Sequence, residues 1–217
     1  MSLRAKITDK DSGAFAFGSN SVARYRPQAF AGQAKNLGKP VVMVLATHAL
    51  EIFGLVDQQN ALLWVNAHIR DFGGDPSNIT ALGVSAGSAS IHHHLLSGVP
   101  LFDRAIMMSD VALTLGPYPV QALENSWRMM CGRYELTQAT PAKRVEVLRK
   151  LEPLDLLEAY STGVAGPVAD GKRLPLNWGF ADPMPSSRCK AIIIGDTNAE
   201  SIGYKPLVKQ LSQTYFH

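Results

Sequence analysis

The chain is short of several things, and each shortage removes a class of protein. It has two cysteines in 217 residues, Cys131 and Cys189, far apart in sequence. A disulfide scaffold needs a denser, paired set, so both are read as free thiols. Charge is also sparse: 18% of residues are charged and the net charge is +3. The basic residues are scattered, and Lys143-Arg144 and Arg149-Lys150 read as a solvated helix surface. No basic face suited to nucleic acid emerges. No apolar run approaches transmembrane length. Met1-Ser2-Leu3-Arg4 is followed by no apolar stretch, so no signal peptide is read and the chain as it stands is expected in the cytoplasm. Three adjacent histidines, His92 to His94, point in different helical directions, and no His-x-x-x-His has a partner carboxylate. No metal and no cofactor are expected.

What is present is an ordinary globular composition, 46% hydrophobic, in a length that suits one domain over residues 1–217. The most informative segment is Gly83-Val84-Ser85-Ala86-Gly87. Upstream, Asn78 to Leu82 is a β-branched and apolar run that suits a buried strand. Downstream, Ala86 to Leu96 has no proline and only Gly87 as a glycine, so it can form a helix. Strand, tight turn and helix make a nucleophile elbow, in which small residues at 83 and 87 let strand and helix approach. Ser85 is the candidate nucleophile. The Ala86 N–H, at a helix N-terminus, is a candidate oxyanion donor.

Other elements follow from pattern. Leu62, Val65, Ile69 and Phe72 recur at helical spacing, which predicts a helix over 55–72 with one apolar face, ended by Gly73-Gly74-Asp75-Pro76. Val41 to Ala46 and Ala191 to Ile194 are continuous apolar runs of the kind that suit central strands buried on both faces. Their alternation with amphipathic helices predicts an α/β fold with a mostly parallel sheet. Residues from about 118 to 162 read as a helical insertion. Val120, Leu123, Trp127 and Met130 form one stripe there, and Thr140-Pro141 is an N-cap followed by proline at the first helical position.

From Gly54 to Ser97 the chain carries Leu55-x-Asp57-Gln58, Ala61-Leu62-x-Trp64-Val65, Phe72-Gly73-Gly74-Asp75-Pro76, Ile79-Thr80 and the elbow with Ser88. This block resembles the type-B carboxylesterase family, which includes cholinesterases and fungal carboxylesterases and lipases, and it fits the fungal branch somewhat better. The resemblance implies an incomplete α/β-hydrolase fold and a serine esterase acting on a small-molecule ester through an acyl-enzyme. Gly13 and Ala14 match the family's oxyanion donors, with Ala86 as the third. Glu200, five residues after Gly195, matches its triad acid; Asp196 is the rival on the same loop.

The departures from the family are as telling. The family's first strands should precede residue 13, and the polar run Thr8-Asp9-Lys10-Asp11-Ser12 makes a poor strand. Val84 stands where most members carry glutamate. Above all, none of His48, His68, His92, His93, His94 and His217 is a credible base, since the family histidine lies well beyond the acid. A full member is expected to exceed twice this length. The chain therefore reads as a truncated esterase of impaired activity. Its alternatives are a catalytically dead fragment or binding protein, and an acyltransferase or lactonase using the same acyl-enzyme. Missing strands would leave apolar sheet edges uncovered, so poor solubility is expected of the chain alone. Oligomeric state is not legible.

Overall fold

Strand β3 (Gly74–Val84) is the axis around which the rest is arranged. From Ile79 onward its buried residues alternate: Ile79, Ala81 and Gly83 are covered, with Thr80 and Leu82 between them. A computed structural model describes residues 3–9, 27–46, 51–109, 116–152, 155–156, 166–178 and 188–198. Among these, β1 (Leu3–Asp9), β2 (Val41–Ala46), β3, β4 (Arg104–Met108) and β5 (Ala191–Gly195) form one parallel sheet in the order β2-β1-β3-β4-β5. The helices are α1 (Gln28–Asn36), α2 (Glu51–His68), α3 (Ala86–Leu96), α4 (Val120–Arg133) and α5 (Pro141–Leu148).

The core lies between α2, α3 and the sheet. Leu62, Val65 and Ile69 from the α2 side meet Ile79 and Ala81 of β3, Ile91 and Leu95 of α3, and Ala105 and Met107 of β4. The helix read over 55–72 is there. Its last turn, Ile69–Phe72, tightens to 3₁₀ geometry, and Gly73 ends it at φ 78°. Phe72 departs from the expected stripe. It points outward, 60% exposed, because the tightened turn rotates it off the buried face. Helix α3 is buried over its whole length, Ala86 through Leu96, including the polar Ser88, Ser90 and His92 to His94.

Within the stretch read as a helical insertion α4 and α5 form, while residues 153, 154 and 157–162 lie outside the described residues. Thr140 caps α5 by accepting from the Lys143 N–H at 3.3 Å, with Pro141 in the first turn. Cys131, Leu136 and Leu148 make a second apolar cluster, and Trp127 and Met130 pack against it. Val120 does not join them; it starts α4 half exposed. Both cysteines are free, and burial pushes the Cys189 thiol above its ordinary value. Arg144 corrects the solvated-surface reading of its pair. Its guanidinium donates to the carbonyls of Leu136 (3.0 Å) and Thr137 (2.6 Å), tying α5 to the end of the preceding turn.

Two strand readings need correction. Thr8 and Asp9 do belong to a strand. Between β2 and β3, β1 pairs on both sides, and its backbone hydrogen bonds outweigh the low β-propensity of its polar residues. Conversely, β2 and β5 are not central among the described strands. Among the described residues they flank the sheet, and β5 is exposed throughout.

At the lower end of the sheet, where the strands begin, a polar clamp holds these elements together. The Asp103 carboxylate, 7% exposed, accepts from the Ile79 N–H (2.8 Å) and from Arg188 (2.9 Å). Arg188 also donates to the Pro76 carbonyl (2.8 Å) and to the Asn66 side chain. Asn66 in turn donates to the Leu101 carbonyl (2.8 Å). One guanidinium therefore registers α2, β3, β4 and the approach to β5.

Candidate active site

In a sheet ordered 2-1-3-4-5, chain connections leave β1 and β3 in opposite directions. That leaves a crevice above their C-terminal ends. Ser85 is the first residue after β3, and it therefore stands at that crevice. On the other side of the crevice β1 ends at Asp9, paired with Gly83. Gly13 and Ala14 follow four and five residues later in sequence and lie outside the described residues.

The turn at Ser85 is built from its neighbours. Ser85 sits at φ 54° and ψ −126°, a backbone state that side chains rarely adopt. It is held there by two hydrogen bonds: its N–H donates to the Met108 carbonyl (2.8 Å), and its carbonyl accepts from the Ala89 N–H (3.0 Å). A Cβ on Gly83 would lie 2.3 Å from the Gly87 carbonyl, so the close approach that the motif's first glycine permits is used. Ser85 is the N-cap residue of α3, yet its side chain makes no capping bond. A serine there ordinarily turns its hydroxyl inward to the helix N–H groups. Here it makes no such bond, and the next residue, Ala86, is buried at the start of the helix, where its N–H has no acceptor within the helix.

The next strand ends reach the same edge. Ser109, after β4, also has a left-handed backbone at φ 59°, and its N–H donates to the Gly195 carbonyl (2.9 Å) at the end of β5. In sequence Ser109 closes the stretch Leu101-Phe102-x-Arg104-Ala105-Ile106-x-x-Ser109, which resembles the family's strand after the elbow helix, but its left-handed backbone is not legible there. The exposed Asp196 follows directly. Glu200, four residues further along, lies outside the described residues. Two strand spacings separate β3 from β5, about 10 Å, a gap that one imidazole can bridge between a serine and a carboxylate.

No described histidine is such an imidazole. His92, His93 and His94 are buried within α3, and His92 is already about 10 Å along the helix from Ser85. His92 meets the Trp178 ring edge-on at 5.1 Å, and burial holds its pKa below the ordinary 6.5. His94 Nε2 is 2.9 Å from Gln58 Oε1, and Gln58 donates to Ser90 Oγ at 3.3 Å. This chain of contacts seats α3 on α2, a role for Gln58 that its sequence position does not disclose. His68 ends α2 beside Trp64, just before the start of β3 and so at the far end of the sheet from Ser85. His48 and His217 lie outside the described residues. Among the described residues no group of three His, Cys, Asp or Glu side chains could hold a metal ion, and no helix is long and apolar enough to cross a membrane. A small cavity lined by Leu55, His93, Val168 and Leu174 lies two turns or more along α3 from the elbow, away from the crevice.

A serine elbow at the switch point of a parallel α/β sheet is the site architecture of the α/β hydrolases. More narrowly, this chain belongs to the carboxylesterase family, whose model matches residues 46–208. It is 34% identical over 150 residues to Lipase 3 of Yarrowia lipolytica, covering 62% of this chain and 29% of that protein. It is 35% identical over 147 residues to the human bile salt-activated lipase, covering 61% of this chain and 19% of the lipase. A solved carboxylesterase of Geobacillus stearothermophilus superposes with a TM-score of 0.73 at 26% identity, covering 98% of this chain and 49% of its own. The chain thus spans less than a third of the yeast lipase and about half of the bacterial enzyme.

Proposed function

We propose that the protein acts on small carboxylic esters through an acyl-enzyme on Ser85. The observation that carries this reading is the Ser85 backbone, held at φ 54° with its hydroxyl withheld from capping its own helix. Such strain is maintained where a side chain is needed in one position. In the reaction Oγ attacks the ester carbonyl carbon while its proton passes to a base. The carbonyl oxygen becomes an oxyanion held by the N–H groups of Ala86, Gly13 and Ala14. The intermediate collapses, the C–O bond to the alcohol breaks, and the alcohol leaves with the proton. Water then attacks the acyl-serine by the same route in reverse. Glu200 is the carboxylate that orients the base, with Asp196 the alternative.

Among the described residues none of the imidazoles is within reach of Ser85, and on this reading the chain by itself is expected to be slow. An acyl acceptor other than water would make the same acyl-enzyme an acyltransferase or lactonase.

The test is hydrolysis of p-nitrophenyl acetate by the purified chain and by Ser85→Ala, with and without free imidazole in the buffer. With the protein-free rate at each imidazole concentration subtracted, the expected result is a low rate that rises with imidazole in the parent and not in Ser85→Ala. Equal rates in both proteins under both conditions would overturn the proposal and leave a non-catalytic binding role.

A further inference from the structure

Helix α3 begins at Ala86, directly after Ser85, and its contacts further along decide where that end stands. The close approach of Gly83 to Gly87 fixes the helix to β3 at one point, beside the turn. A rod held at one point can still swing about it. Ile91 and Leu95 pack in one cluster with Leu62 and Val65, but apolar burial has no direction of its own. Directional contacts are needed to stop the swing.

Gln58 supplies them. It lies on α2, 7% exposed, and its amide group reaches two successive turns of α3. Its Nε2 donates to Ser90 Oγ at 3.3 Å, and its Oε1 is 2.9 Å from His94 Nε2. An amide oxygen can only accept, so His94 carries a proton on Nε2 and donates it. Ser90 and His94 share one face of the helix, a turn apart. They stand about 6 Å and about 12 Å along the axis from Ala86. One planar group thus grips the rod at two places beyond its pivot, donating at one and accepting at the other. A rotation of α3 about its axis, or a shift along it, weakens one contact or the other, because hydrogen bonds depend steeply on angle and distance. Ser90 and His94 are buried as Gln58 is, so water does not stand ready to replace a lost bond.

We propose that Gln58 is a positioning residue for the elbow: by gripping α3 at Ser90 and His94, it fixes where Ser85 and the Ala86 N–H stand relative to the ester. The role rests on the acyl-enzyme reading given above. Gln58 then acts on the transition state and not on substrate binding, because a donor at the helix end must meet an oxygen that moves as the carbonyl becomes tetrahedral. A misplacement of about 1 Å there can cost about a hundredfold in rate.

The test compares the whole chain with three variants. Gln58→Met keeps the length of the side chain and removes its hydrogen bonds, Ser90→Ala removes one of the two grips, and the third variant carries both changes. Thermal melts show that each is folded at the assay temperature. Hydrolysis of p-nitrophenyl acetate is measured with imidazole in the buffer, and the rate of the matching Ser85→Ala protein is subtracted. Gln58→Met should lower kcat by about tenfold with KM unchanged. Ser90→Ala should lower kcat by less, and should cost nothing further when added to Gln58→Met. A second readout does not depend on activity. In isotope-labelled protein, Gln58→Met should shift the Ala86 and Gly87 amide resonances, while those of α5 stay in place. A loss of stability alone would move neither kcat nor these resonances below the melting range. An unchanged kcat, a loss confined to KM, additive losses in the double variant, or unmoved Ala86 and Gly87 amides would each overturn the proposal. A parent no faster than Ser85→Ala instead overturns the acyl-enzyme reading, and the amide resonances then decide by themselves whether Gln58 positions the elbow.

Discussion

Gly83 and Gly87 stand on either side of the Ser85 turn, so close that a methyl group on Gly83 would come within 2.3 Å of the Gly87 carbonyl carbon and oxygen. The strand and the helix of the elbow thus touch backbone to backbone. No flexible side chain lies between them to move aside. The two glycines act together: one opens the space that the other's peptide occupies.

Gly83→Ala should therefore be costly. Overpacking against rigid backbone typically costs about 1–3 kcal/mol. For a chain of this size that lowers the melting temperature by about 2–4 °C per kcal/mol. Differential scanning fluorimetry of the purified variant checks it; an unchanged midpoint would mean that the elbow is looser than its geometry states.

Ser85→Gly should act in the opposite sense. Glycine adopts φ 54°, ψ −126° without the steric penalty that serine carries, so the variant should be more stable by about 1–2 kcal/mol. Under the proposed mechanism it should also be inactive. Urea denaturation of the two proteins compares them directly, and a less stable glycine variant would show that the serine side chain contributes packing that its position does not reveal.

The clamp at the lower end of the sheet predicts an unequal pair of variants. Arg188→Ala leaves the Asp103 carboxylate with only the Ile79 N–H among the partners described here, in a site 7% exposed. A lost charged hydrogen bond there costs about 2–3 kcal/mol. Arg188→Ala combined with Asp103→Asn should lose less than the sum of the two single changes, because the unpaired charge is gone. Chemical denaturation of the four members of the cycle measures the coupling.

Stability should also depend on pH through His92. Its folded pKa is lowered by burial from 6.5, so between the two values the unfolded chain binds a proton that the folded chain refuses. The stability contributed by neutral His92 is complete above pH 6.5 and is lost as pH falls from there through the folded value. His92→Phe, which keeps an aromatic ring against Trp178, should flatten this part of the profile. The urea midpoint, compared at pH 7.5 and pH 5.5 in both proteins, reads the difference; parallel slopes would assign the dependence to another group.

Several features are readable from the residues in order. The elbow is one, because its geometry is local: two glycines, a serine, a β-branched run before and an uninterrupted helix after. Helix α3 and strand β2 run over the residues that pattern alone indicates. The cap of α5 is another, since Thr140 and Pro141 act within a single turn. The family, likewise, follows from a contiguous block of side chains and turns.

What required the folded chain is everything that depends on neighbours distant in sequence. Strand β1 is polar enough to be passed over, and only pairing with β2 on one side and β3 on the other makes it a strand. The apolar run of β5 reads as a central strand, because hydrophobicity reports what a strand can bury and not what is beside it. The histidines of α3 are visible in sequence, but their work is not. Gln58 and Trp178 approach them from 36 and 86 residues away, respectively, as the difference of their positions from His94 and His92 shows. Local pattern is set by bonds and sterics within a few residues. Placement at an edge, in a crevice or beneath another helix is set by packing, which no short window of sequence contains.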